Sequence, residues 1–292
     1  MASTHSRIIS FHKYQGAGND FILLDNTKGG YAFICSSPEY IREICHRRFG
    51  VGADGLIAIS KPAAGCYDFR MTYYNCDGFE GSMCGNGARC AVSFARQLGL
   101  LQYNEARFLA YDGVHFAIYD ELHANVHVKM NIDGKITKLD ETSYFVDTGS
   151  PHVVRFVAEG LDELNVEVLG RQICDSGAFP STSGGVNVNF VQLDQDDGLQ
   201  IRTYERGVGA ETYACGTGSV AAALVHAHRA SSTVAMTMCN RCVWNARHTH
   251  VKVKGGELSV AFDWNAEQGF SEVYLVGPAQ YVYSGTYTCK DR

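Results

Sequence analysis

The feature that most constrains this chain is an internal repeat. Tyr73-x6-Glu80-x3-Cys84-Gly85-Asn86-Gly87 recurs as Tyr204-x6-Glu211-x3-Cys215-Gly216-Thr217-Gly218, an offset of 131 residues (215 − 84). At the same offset Gly78 falls on Gly209, Ala91 on Ala222 and Gly18-Asn19 on Gly149-Ser150. Two separated blocks at one offset indicate two copies of one unit. Each copy opens with a strand and loop and later delivers a strand, a Cys-Gly-x-Gly turn and a helix. The competing reading is coincidence among glycines.

Most of the remaining sequence reads as strands. Residues 67–75, 114–120, 125–130, 187–193 and 199–205 are rich in β-branched and aromatic types. Residues 251–254 and 257–262 flank Gly255-Gly256, a hairpin signal. Residues 38–49, 88–97 and 219–229 read as helices. The 292 residues suit two domains, and 46% hydrophobic residues with 5 prolines exclude disorder. A net charge of −6 supplies no basic field for a polyanion, so nucleic acid is excluded as a partner. No run approaches the ~18 apolar residues of a membrane span, so no membrane role is expected. Met1 to Ser10 lacks a secretion-like apolar run. With 11 scattered cysteines and no export signal, reduced thiols in a cytoplasm are expected.

Cys84 and Cys215 each stand where a helix begins. The glycines allow close backbone approach, and first-turn N–H groups lack intrahelical acceptors. Such an end attracts carboxylates and can lower a thiol from about 8.5 to between roughly 3.5 and 7.5. Inverting an amino-acid stereocentre needs a base on one face of Cα and an acid on the other. Two related domains with one thiol each meet that requirement, and the pair would titrate as a coupled unit. The bland alternative for a cysteine is a small buried hydrophobe. It is the reading adopted for Cys35, Cys45, Cys66, Cys90, Cys174 and Cys289, while the matched glycines argue against it at Cys84 and Cys215.

Longer motifs sharpen this picture: Gly16-Ala-Gly-Asn-Asp-Phe21, Phe49-Gly-Val-Gly-Ala-Asp-Gly-Leu56 and Asn75-Cys-Asp-Gly-Phe-Glu-Gly-Ser-Met-Cys-Gly-Asn-Gly-Ala-Arg-Cys90. Gly149-Ser-Pro-His152, Val186-Asn187, Tyr204-Glu-Arg-Gly207 and Ala214-Cys-Gly-Thr-Gly218 follow. Together they resemble the diaminopimelate epimerase family nearly end to end. That family interconverts LL- and meso-diaminopimelate on the path to lysine and peptidoglycan without pyridoxal phosphate or metal. The resemblance implies an α/β (α+β) fold of two pseudo-symmetric domains, each a curved, mostly antiparallel sheet wrapped around a central helix. It places the domains at residues 1–129, with 278–292 crossing back, and 130–277. It makes Cys84 and Cys215 the acid/base pair, with His152 supporting the cysteine site. Asn19 and Glu205 would hold the reacting ammonium, and the Gly85, Asn86, Gly87, Gly216 and Thr217 turns its carboxylate. Asn75, Ser150, Asn187 and Arg206 would read the distal amino-acid end, with Arg206 as charged anchor. No cofactor and a homodimer are also implied.

The chain departs from the family pattern at Ser150 (usually Asn), Phe79, Gln15 and one extra residue between Arg206 and Cys215. Taken alone, Asn19 and Asn187 could equally fix turns, and Glu205 with Arg206 could be a solvated pair. Cys239-x-x-Cys242 lacks a second pair for zinc, and His226/His228 and His248/His250 lack carboxylate partners nearby in sequence. Gly16-Ala-Gly18 lacks the third glycine of a dinucleotide fingerprint. Two other functions compete: a proline or hydroxyproline racemase on the same scaffold, and a non-catalytic amino-acid-binding module.

Overall fold

The computed structural model describes residues 6–62, 66–81, 83–132, 135–179, 184–194, 197–231, 247–265 and 267–290. In chain order the elements begin with β1 (Ser6–Gly16), β2 (Asn19–Asp25), α1 (Ala32–Cys35), α2 (Pro38–Cys45), β3 (Gly55–Ser60) and β4 (Phe69–Asn75). Next come α3 (Gly85–Gln97), β5 (Glu105–Ala110), β6 (Gly113–Asp120), β7 (Asn125–Lys129), β8 (Ile136–Lys138) and β9 (Ser143–Asp147). They continue with β10 (Pro151–Phe156), α4 (Val166–Cys174), β11 (Asn187–Leu193), β12 (Leu199–Glu205), β13 (Ala210–Thr212) and α5 (Gly216–Ser231). The last are β14 (Arg247–Val253), β15 (Gly256–Asn265), β16 (Gly269–Pro278) and β17 (Gln280–Lys290). The chain divides into two compact units, residues 1–128 with 278–292, and residues 129–277.

The two units share one topology. In the first, strands pair in the order β17–β1–β2–β3–β4–β5–β6–β7, antiparallel except for β2–β3 and β4–β5. In the second the order is β8–β9–β10–β11–β12–β14–β15–β16, antiparallel except for β10–β11 and β12–β14. Each parallel pair requires a crossover, and helices occupy the same crossovers in both units: α2 and α3 in one, α4 and α5 in the other. The fold is mixed α/β, a largely antiparallel sheet repeated twice.

Within each unit one helix is central. α3 touches β1, β2, β3, β4 and β6, and α5 touches β9, β10, β11, β12, β14 and β15. Five strands lying flat would span roughly 20 Å, twice the width of a helix, so the sheet must curl to reach it. α5 is accordingly apolar on all sides, with Val220 to Val225 at zero exposure. The other sheet face is covered as well. In the first unit Ile34, Ile41 and Ile44 pack on Ile22, Leu24 and Leu56; in the second Val166 and Cys174 pack on Val188, Phe190 and Tyr204. Strands β2 and β3 therefore carry the apolar runs Phe21 to Leu24 and Leu56 to Ile59, while β11 interrupts its apolar residues with Asn189.

Four differences between sequence and structure have a physical reason in the packing. α2 stops at Cys45, short of the expected Phe49, because the following chain folds back onto it. The N–H groups of Gly50, Val51 and Ala53 take the carbonyls of His46, Ile44 and Cys45. α4 was not legible. Its Gly170 weakens helix propensity yet is required, since a Cβ there would stand 2.2 Å from Tyr204 Cβ. The β14–β15 turn is Lys254-Gly255, one residue earlier than expected, with Gly256 (φ +138°) paired to Val253. Finally, Tyr204 corresponds to Tyr74, not Tyr73. Five residues separate the bridged pair Tyr74 and Glu80, and six separate Tyr204 and Glu211. The extra residue lies in the turn after β12, so Asn75 and Glu205 hold equivalent strand ends, and Cys76 stands at the place of Arg206.

A matched glycine pair tests the packing. Gly78 (φ +93°) and Gly209 (φ +73°) share the left-handed conformation. An added Cβ at Gly78 meets the Pro38 carbonyl oxygen at 2.3 Å, whereas at Gly209 it meets nothing within 4 Å. Gly209→Ala should cost about 1–2 kcal/mol from backbone conformation. Gly78→Ala should cost at least ~1 kcal/mol more through overlap. Urea unfolding of both variants checks this order.

Candidate active site

In the first unit β4 ends at Asn75, and Cys84 reaches the N-cap of α3 in extended conformation (φ −98°, ψ 122°). The helical ladder begins when Ala88 N–H donates to Cys84 O at 2.7 Å. The N–H groups of Gly85, Asn86 and Gly87 thus precede it, at the positive end of the helix. Gly87 lets this turn lie on β3, since a Cβ there would stand 3.1 Å from Ile57 Cδ1. Cys84 is half-buried. Asn86 is buried and donates from Nδ2 to Asn19 Oδ1 at 2.6 Å. Asn19 Nδ2 donates in turn to Asp54 Oδ2 at 3.1 Å.

Asp54 is itself clamped. Arg47 Nη2 lies 2.6 Å from Asp54 Oδ1 and 2.7 Å from Asp20 Oδ1, and Lys13 Nζ lies 2.7 Å from Asp20 Oδ2. Burial alone would push the Asp20 carboxyl up; hydrogen bonds from Arg47 and Lys13 outweigh it and hold it below the ordinary carboxylate range. Acid on one side and Asn86 on the other leave the Asn19 amide a single orientation, carbonyl toward the helix turn. Asn75 Oδ1 accepts from Tyr73 Oη at 2.8 Å, which turns its Nδ2 outward past Gly81, where a Cβ would sit 2.9 Å away.

The second unit repeats the plan with different chemistry. Cys215 is buried before α5, and Ser219 N–H donates to Cys215 O at 2.9 Å. Gly216, Thr217 and Gly218 therefore occupy the turn ahead of the ladder. Asn189 has a fixed orientation: Oδ1 accepts from Thr203 Oγ1 at 3.0 Å, and Nδ2 donates to Val153 O at 3.1 Å. The same Nδ2 lies 3.1 Å from His152 Nδ1, which must accept. The His152 proton is then on Nε2, 2.9 Å from Thr217 Oγ1. Thr217 Oγ1 accepts that bond and lies 3.5 Å from Cys215 Sγ, where its hydroxyl can donate to a thiolate or accept from a thiol. Burial, with the Arg206 charge adding to it, pulls His152 down to about 3, so the imidazole is neutral at physiological pH. Gly218 is needed here, because a Cβ would stand 2.3 Å from Asn189 Oδ1.

Beside this relay, Asn187 Nδ2 donates to Ser150 Oγ at 2.9 Å and to Pro151 O at 3.3 Å, while its Oδ1 accepts from Arg206 N at 3.0 Å. Arg206 Nη1 donates to Gly185 O at 3.0 Å. Both Asn187 amide hydrogens are committed, so Asn187 ties Ser150 to Arg206. Glu205 closes β12, its carbonyl accepting from Gly209 N at 2.8 Å.

The structure brings Asn19, Asn86 and the Cys84 turn together in one unit, with Asn75 at the end of β4. It brings His152, Thr217 and Cys215 together, and Ser150, Asn187 and Arg206 together, in the other. Sequence reasoning passed over Asp54, Asn189 and Thr203. A polar side chain inside the apolar run of β11 was the available signal for Asn189. Among the other cysteines, Cys45, Cys90, Cys174 and Cys289 are buried as expected; Cys66 is exposed and Cys35 half-buried, correcting the core reading there. Cys239 and Cys242 lie outside the described residues. His226 lies 3.5 Å from Asp197, and His250 3.3 Å from Ser259 Oγ. Among the described residues no three His, Cys, Asp or Glu side chains cluster as a metal site. No described helix is long and apolar enough to cross a membrane.

The family model described as diaminopimelate epimerase matches residues 11–134 and 144–282. The chain belongs to the diaminopimelate epimerase family. The diaminopimelate epimerase of Flavobacterium psychrophilum is 38% identical over 279 residues, covering 95% of this chain and 100% of the relative. That of Chlorobaculum tepidum is 41% identical over 282 residues, covering 94% and 99%. Solved structures share the fold at low identity. A Bacillus anthracis phenazine biosynthesis protein of the PhzF family gives a TM-score of 0.66 at 16% identity, covering 96% of this chain and 99% of its own. A hydroxyproline epimerase from Agrobacterium vitis gives 0.63 at 12%, covering 98% and 94%.

The depressed His152 pKa has a stability consequence. The unfolded chain titrates this imidazole near 6.5 and the folded protein near 3, so the unfolded state binds its proton first as pH falls. Stability from neutral His152 is complete above about 6.5 and is lost on acidification toward 3. Urea midpoints at pH 7.5, 6 and 4.5 should fall in that order, and His152→Gln should flatten the decline.

Proposed function

We propose that this chain interconverts LL- and meso-diaminopimelate by proton transfer at Cα, without a cofactor, as its family membership indicates. The observation that carries the reading is the cysteine at the N-terminus of each buried central helix. In one direction, the thiolate of one cysteine removes the α-proton and becomes a thiol. The thiol of the other delivers its proton to the opposite face of the carbanion and becomes a thiolate. The return reaction exchanges their roles, so no net proton is consumed.

In this reading the first-turn N–H groups of Gly85, Asn86, Gly87, Gly216 and Thr217 hold the α-carboxylate. Charge builds on that carboxylate as the proton leaves, so these donors stabilise the transition state more than the bound substrate. Well-aimed donors of this kind contribute ~2.7–4 kcal/mol each. Asn19 and Glu205 hold the ammonium, and the Asp54 clamp keeps the Asn19 oxygen correctly turned. Arg206 presents its planar guanidinium to the distal carboxylate, with Asn75 as a further donor and Asn187 and Ser150 setting the Arg206 loop. The neutral His152 relay orients Thr217 toward Cys215 without competing for the proton. The enzyme works as a homodimer in the cytoplasm, where its thiols stay reduced; sedimentation of the reduced protein tests the dimer.

Reduced protein, free of pyridoxal phosphate and added metal, should incorporate deuterium from heavy water at Cα of diaminopimelate and leave proline unexchanged. Absence of exchange, or exchange of proline instead, overturns the reading. Cys84→Ala and Cys215→Ala should each abolish inversion, followed by chiral chromatography. Arg206→Lys retains charge but loses the bidentate fork, so KM for diaminopimelate should rise about tenfold or more, with a smaller change in kcat.

A further inference from the structure

Arg89 lies in the second turn of α3 with no exposed surface. Its Nε donates to Pro278 O at 3.2 Å, while Nη1 and Nη2 have no hydrogen-bond partner among the described residues. An uncompensated buried cation opposes folding, and apolar residues in its place are often neutral or stabilising. Folding alone does not account for it. Side chains on a helix lean toward its N-terminus, and the guanidinium follows that rule. A Cβ built on Gly16 would lie 3.1 Å from Asn86 O, 3.3 Å from Arg89 Nη2 and 3.4 Å from Cys90 Sγ. Gly16 thus leaves room for the guanidinium on the same side as the Asn86 carbonyl, which belongs to the turn that begins at Cys84.

The duplication makes the placement informative. At the same offset α5 carries Val220, buried and apolar, so this helix position supplies a buried charge in one copy and none in the other. Beside Cys215 stands the Thr217 hydroxyl with the neutral His152 imidazole behind it, and the Arg206 charge acts on that imidazole. We propose that Arg89 is a positioning residue that sets the resting proton distribution of the pair, holding Cys84 as the thiolate and leaving the proton on Cys215. The inference rests on the reading that these two cysteines carry the proton.

Other groups around α3 do not supply this charge. His12 and Tyr14 of β1 pack on Phe94, Tyr73 lies on β4, and His115 and Tyr119 on β6. Burial lowers His12 and pushes Tyr14 and the helix's own Cys90 up to about 12, leaving all three neutral at pH 7. Lys13 and Asp20 neutralise one another at 2.7 Å. Burial draws Arg89 down only to about 10, with Cys90 and Cys84 acting against the fall, so it keeps its proton.

The test is the pH dependence of iodoacetamide alkylation, followed by mass spectrometry on the Cys84 and Cys215 peptides separately. In Arg89→Met and Arg89→Gln the Cys84 midpoint should rise by about one pH unit or more, while Arg89→Lys restores most of it. The Cys215 midpoint should not rise with it, and urea stability of the Met variant should equal or exceed wild type. An unmoved Cys84 midpoint in whichever neutral variant folds, or no rescue by lysine, overturns the inference. Alkylation needs no turnover. Deuterium exchange with an unmoved midpoint therefore refutes the role of Arg89 alone, and a moved midpoint without exchange refutes the epimerase reading alone.

Discussion

The structure depends on how closely the first turn of each central helix lies on the sheet wrapped around it. Gly218 against Asn189 leaves no room for a Cβ, and at Gly87 a Cβ would stand only 3.1 Å from Ile57 Cδ1. Those contacts anchor the turns that carry Cys84 and Cys215. Helix ends held this way keep their leading N–H groups outside the ladder. A helix end that frays in water would spread the same partial charge over many orientations. Here its direction is set by core packing.

On that shared frame the two copies have diverged in support. Asn75 and Glu205 occupy one strand end; Cys76 and Arg206 occupy the next position. Phe21 and His152 share a place by offset, as do Arg89 and Val220. The first copy surrounds its turn with an ionic clamp running from Arg47 through Asp54 to Asn19. The second uses a neutral chain from Thr203 through Asn189 and His152 to Thr217. The frame is common to both copies, and the groups that support it are charged in one and neutral in the other.

The one-residue insertion after β12 shows how far the repeat reaches. It shifts the register between strand and helix, yet leaves Glu211 facing Tyr204 as Glu80 faces Tyr74. It lengthens only the turn that carries Arg206, whose backbone is tied to Asn187 and whose guanidinium is tied to Gly185. The insertion is absorbed where the chain is a loop, and the packed elements on either side keep their partners.

The sequence by itself determined the duplication, the strand-rich character, the two helices that follow the matched motifs and the pairing of Cys84 with Cys215. Those follow from periodicity and from glycines whose spacing is local. Tertiary structure alone decided the rest. α4 forms despite Gly170 because Val166 and Cys174 pack on the sheet where the missing Cβ admits Tyr204, α2 ends early because Gly50 to Ala53 take its carbonyls, and Cys66 is exposed although cysteines favour cores. The tautomer of His152, the clamp on Asn19 and the buried charge of Arg89 come from contacts between residues far apart in the chain. Hydrogen-bond direction and desolvation are properties of such contacts, and no local pattern carries them.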